Sequence, residues 1–151
     1  GDRNKFEENL KRFDRQNGRN VVRIQGDSTR LPAADIARLR EARPKVFSVD
    51  GGHTVEHTIS DMELAASCIH DRGAVFVDDV PSQHWIGVME GVICYLQRRP
   101  TIWPVLIGFN KMLLVPMSVH DHYLRAIRPT LKKCKLVKLC GYEMFSVLPP
   151  T

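Results

Sequence analysis

KVFSVDGGHTVEHTISDMELAASCIHDRGAVFVDDV, residues 45–80, reads as a strand, a helix and a second strand. Val46, Phe47 and Val49 form a short apolar run that stops at Asp50, Gly51 and Gly52. Ala74 to Val77 form another, stopped by Asp78 and Asp79. Continuous apolar runs of this length suit parallel strands covered on both faces. Between them Val55, Ile59, Met62, Ala66 and Ile69 recur at steps of four and three, which places them on one stripe of a helix. The three pieces form a right-handed βαβ crossover. Open parallel sheets take ligands at the carboxyl ends of their strands, so Asp50, His53, Asp78 and Asp79 emerge where chemistry is expected.

The flanks extend this pattern. Upstream, Leu31 and Pro32 lead into a helix near Ala34 to Ala42, closed by Pro44. Downstream, Trp85, Met89, Val92, Ile93 and Leu96 repeat at helical spacing, which favours Trp85 as the first core residue of the helix over a lid or substrate-facing aromatic. Two strands follow around the Gly108–Lys111 turn. Pro104 cannot donate a ladder hydrogen bond, which puts the first of them at a sheet edge. Ser118 begins a helix closed by Pro129, with His120 and His122 assigned to its surface. The tail from Lys135 to Leu148 holds one or two short strands.

The order apolar strand, Asp-Gly-Gly-His, helix carrying Asp61, Arg-Gly, apolar strand, Asp-Asp resembles the second half of a class I S-adenosylmethionine-dependent methyltransferase. The nearest branch methylates hydroxyls of small molecules or sugars. The resemblance implies an α/β, Rossmann-like three-layer sandwich: a mostly parallel sheet of strand order 3-2-1-4-5-7-6 with a terminal antiparallel hairpin. Val21–Ser28 would be its third strand and adenine-contacting turn, and Leu106–Leu114 its hairpin. Gly1 to Phe13, with Phe6, Leu10 and Phe13 on one stripe, resembles the helix after the second strand. The family's glycine-rich loop and ribose-binding acid have no counterpart, so residues 1–151 are expected to form a single domain equivalent to the family's C-terminal portion, its first two strands absent.

By resemblance, Asp27, Ser28, Asp50, Gly51 and Gly52 would bind S-adenosylmethionine, and Asp50 with His53 would act on a small-molecule acceptor. Asp27 also has a purely local reading, as the cap of a turn or helix. Asp50, Asp78 and Asp79 converge at neighbouring strand ends, and three carboxylates that close call for a cation such as Mg²⁺. The rival reading is that Asp78 and Asp79 shape the turn before Pro81. His53 suits a general base. His53, Glu56 and His57 also spell the H-x-x-E-H pattern of a zinc hydrolase, which needs both histidines on one helix. Gly51 and Gly52 place His53 in a turn, with Thr54 as N-cap and His57 on the surface of the first turn. Asn110 and Lys111 read as turn residues in preference to pocket-lining ones, because a tight turn needs Gly and Asn anyway. A further alternative is a non-catalytic interaction domain, or half of an enzyme completed by another polypeptide.

The net charge of +5 comes from 22 basic and 17 acidic residues. The basic clusters lack interleaved aromatics, which argues for a solvated surface over nucleic-acid binding. No apolar run reaches membrane-spanning length, and the polar first residues do not resemble a signal peptide. A cytoplasmic location is the default expectation. Cys68, Cys94, Cys134 and Cys140 include no C-x-x-C pair and read as reduced, structural thiols. An unpaired third strand would favour self-association into a homo-oligomer.

Overall fold

The computed structural model describes residues 3–16 and 21–147. Five helices accompany six strands in one mixed α/β sheet. The helices are α1 (Arg3–Phe13), α2 (Ala33–Ala42), α3 (Val55–Cys68), α4 (Ile86–Gln97) and α5 (His120–Ile127). The strands are β1 (Val46–Val49), β2 (Ala74–Asp78), β3 (Ile102–Gly108), β4 (Lys111–Pro116), β5 (Cys134–Leu139) and β6 (Tyr142–Val147), in spatial order β1-β2-β4-β3-β6-β5.

The central β1-α3-β2 unit forms as its apolar pattern dictates, with β1 parallel to β2 and Val46 opposite Ala74. Thr54 caps α3 by accepting the His57 backbone N–H, a contact typically worth about 1 kcal/mol. At α2 the chain leaves the helix through Arg43, at φ 44°, just before Pro44. Both hairpins turn through two residues with positive φ: Phe109 and Asn110 between β3 and β4, Cys140 and Gly141 between β5 and β6. Such turns match the right-handed twist of the strands they join.

The main core joins alternate residues of the sheet, Val75, Val77, Met112, Leu114 and Met144, to Met62 and Ala65 of α3 and Val88, Val92 and Leu96 of α4. Val105, Val115 and Phe145 are buried outside that cluster. The strand period of two turns Val115 and Phe145 to the opposite face from Leu114 and Met144. There α5 contacts β3 and β4, and the Arg128 guanidinium lies 5.9 Å from the centre of the Phe145 ring.

Four expectations need correction. Val21–Gln25 forms no strand. A strand needs a paired backbone, and a cavity separates this segment from β1, lined by Val22 and Ile24 on one side and Phe47 and Val49 on the other. The sheet is mixed rather than mostly parallel, because β4 runs against both β2 and β3, and β5 against β6. Pro104 does not mark an edge, since β6 pairs beyond it; the register of β3 shifts between Pro104 and Leu106, and only Leu106 and Ile107 join the β6 ladder. His120 is not on the surface. It is 5% exposed, and its Nε2–H donates to the carbonyls of Pro104 and Glu143, both at 3.0 Å.

Helix α1 exists, but none of its residues is buried and Phe13 stays largely exposed. All four cysteines are free. Among the described residues no helix is long and apolar enough to cross a membrane.

Candidate functional site

The ends of β1 and β2 carry the chemistry. Asp50, His53 and Asp79 converge, each offering one ligand atom within 4.8 Å of the others. His53 Nε2 lies 3.0 Å from Asp79 Oδ2. An ionised carboxylate only accepts, so Nε2 is the donor in this contact. The second Asp79 oxygen accepts from the Asn110 side-chain amide. The His53 ring is also held face to face with Trp85, with centroids 4.3 Å apart and planes 19° apart. Trp85 is therefore a site aromatic, 46% exposed, rather than the core residue its helical spacing suggests.

Asp78 stands apart from this group. It lies directly opposite Lys111 in the β2–β4 ladder, and the ammonium donates to its Oδ2. That hydrogen bond holds its carboxyl below the ordinary Asp value, against the effect of burial. Asp79 takes φ 57°, which ends the strand and sends consecutive carboxylates to different partners. The group that converges is thus two carboxylates and an imidazole in place of three carboxylates.

A second polar group lies behind the glycines. Asp27 caps the Ser28–Arg30 3₁₀ turn: its Oδ1 accepts from the Thr29 N–H at 2.9 Å and the Thr29 hydroxyl at 2.7 Å. Those bonds hold its pKa down. His57 Nε2 faces the same oxygen at 3.4 Å, and its Nδ1 lies 2.8 Å from Thr54 Oγ1. His53 and His57 therefore engage different carboxylates, with only His57 inside α3.

One turn further along α3, Asp61 is 6% exposed. Burial pushes its carboxyl above the ordinary Asp value, while the Ser28 hydroxyl and the His57 charge pull the other way. A Cβ on Gly51 would sit 2.8 Å from Asp61 Oδ2, and one on Gly52 would sit 2.5 Å from the His57 ring. The Gly-Gly pair thus admits two polar side chains of α3 against the loop. The signal is present in the sequence as residues four apart on one helix face beside two glycines; His57 enters the sequence reading only through the zinc-hydrolase alternative, and Asp61 only as part of the resemblance.

Asp27, Ser28, Asp50, Gly51, Gly52, His57 and Asp61 all line one cavity of about 740 Å³. Its lining also includes the apolar Ile24, Leu31, Leu39 and Phe47. No protein-family model, curated protein or solved structure matches the chain.

Proposed function

We propose that the chain is a Rossmann-like methyltransferase domain that transfers a methyl group from S-adenosylmethionine to a hydroxyl of a small molecule or sugar. The observation that carries this reading is that the five residues assigned to the cofactor by resemblance share one cavity, of a size suited to a nucleoside ligand. The order β1-β2-β4-β3 also follows the 4-5-7-6 segment of the strand order that the resemblance implies.

When bound, S-adenosylmethionine supplies a methyl group already activated on sulfur, so the protein orients the acceptor and removes one proton. His53 is the base. Its Nε2–H is tied to Asp79, leaving Nδ1 to accept the proton of the acceptor hydroxyl, and Asp79 stabilises the imidazolium that results. Asn110 and Trp85 fix the two partners. The donor set of Asp50 and Asp79 suits a hard divalent ion. These two carboxylates, with His53 beside them, would hold Mg²⁺, which would acidify a hydroxyl bound to it.

Titration with S-adenosylmethionine, followed by amide chemical shifts, tests the reading. Because no glycine-rich loop cradles the methionine part, binding is expected to be weak, roughly millimolar, about −4 kcal/mol. Shifts should concentrate at Ser28, Asp50, Gly51 and Gly52. Saturable shifts confined to other surfaces, or none at all, would overturn it.

A further inference from the structure

Between Asp121 and Glu143 the chain carries six basic residues and no acidic one. The whole chain has 22 basic and 17 acidic residues, so this stretch holds more positive charge than the net +5 of the molecule and leaves the remainder slightly acidic. All six are exposed: Arg125 on α5, Arg128 in the 3₁₀ turn after it, Lys132 and Lys133 in the link to β5, and Lys135 and Lys138 on β5. Charge alone argues only for solubility. Here it borders an apolar groove. Leu124, Pro129, Leu136 and Phe145, with Arg125 and Arg128 among them, line a depression of about 380 Å³ formed by α5, the turn after it and the β5–β6 hairpin. Leu136 stands opposite Phe145 in the ladder and is 57% exposed. The groove's one acidic lining residue, Glu143, has Lys138 Nζ 3.4 Å from its Oε1, which offsets its charge.

We propose that this groove docks an acidic peptide segment of a partner protein, with one apolar side chain seated against Leu124 and Leu136 and carboxylates facing the basic rim. Complementary charge steers such an encounter and selects the partner, while the buried side chain anchors it. An anionic membrane fits less well, because it takes apolar side chains that protrude, and these line a depression. Single-stranded nucleic acid would need aromatic platforms for its bases. Both tyrosines of the stretch are engaged elsewhere: the Tyr123 hydroxyl donates to the Arg72 carbonyl, and Tyr142 packs beside Trp103. Phe145 is 7% exposed, with the Arg128 guanidinium over its ring.

Fluorescence anisotropy on the whole chain tests this with a short labelled peptide of aspartate and glutamate around a central leucine, and with the same peptide carrying glycine at its centre. The leucine peptide should bind roughly 10-fold more tightly than the glycine peptide, the scale of one buried anchor. Its affinity should fall about 10-fold between roughly 50 and 300 mM salt, as screening shortens the reach of the rim. Leu136→Ser should bring the leucine peptide down to the level of the glycine peptide. Arg125→Glu, an exposed helix position, covers the case of a Leu136 variant that does not fold and should weaken binding at least about fivefold. Arg38→Glu makes the same change in net charge on α2 and should alter binding by less than about twofold. Equal binding of the two peptides, equal losses in Arg125→Glu and Arg38→Glu, or no binding of the leucine peptide would overturn the inference. Tighter binding to phosphatidylserine vesicles or to a DNA oligonucleotide than to the leucine peptide would overturn it too, in favour of a membrane or a nucleic acid.

Discussion

Asp78 and Asp79 are adjacent in sequence and separate in role: Lys111 holds the first, while His53 and Asn110 hold the second. Nothing local in the dipeptide distinguishes them, because the choice depends on which β4 residue stands opposite Asp78 and on the left-handed turn at Asp79. The Thr54 cap, by contrast, was legible, since a cap is decided within four residues. Asp61 lends itself to a pH test. Its folded-state pKa is raised, so the folded chain binds more protons there than the unfolded chain does once pH exceeds the ordinary Asp value of about 3.9. Stability from this group is therefore fully present below that value and is lost as pH rises through the folded pKa. Relative to Asp61→Asn, the wild type should lose stability over the range of pH that rises from that ordinary value. Urea midpoints across that range would read the difference, and a wild type that instead gains on the variant would contradict the assignment.

At the scale of elements, the β1-α3-β2 unit was readable because its strands, helix and cap are written in contiguous residues. The β3–β6 contact was not, because it joins segments 39 residues apart and its repair lies on a third element. Pro104 stands two residues before Leu106, and Glu143 two before Phe145, so an extended ladder would pair Pro104 with Glu143. Proline has no N–H to give. The His120 Nε2–H meets both carbonyls instead, which explains a buried histidine at a helix start whose neighbours Asp121 and His122 are exposed. Replacing His120 with Phe keeps an aromatic ring and removes that donor. It should destabilise the chain by about 1–3 kcal/mol through the carbonyls left short of a partner. Urea unfolding would measure this, and a loss below about 0.5 kcal/mol, the level of an ordinary surface change, would show that the bridge is dispensable.

At the scale of the whole molecule, the two sheet edges differ. β5 carries Lys135 and Lys138, both exposed, and charged edges resist pairing with other chains. β1 carries no charge within Val46–Val49, among the described residues pairs only with β2, and leaves Val46 62% exposed. Concentration-dependent self-association through β1 is expected in sedimentation equilibrium, shifted towards monomer by Val46→Lys. A wild type that remains monomeric at all concentrations would show this edge to be inert.

The central claim is that the rim of Asp50, His53 and Asp79, beside the cavity at Gly51 and Gly52, performs methyl transfer. Incubating the chain with methyl-labelled S-adenosylmethionine and small hydroxyl acceptors, a catechol and a hexose among them, measures this directly, with Mg²⁺ present and with it chelated. The account predicts label on an acceptor oxygen, reduced roughly 100-fold or more by His53→Ala, the scale of a lost general base. Absence of transfer to every acceptor, or transfer undiminished in His53→Ala, would contradict it.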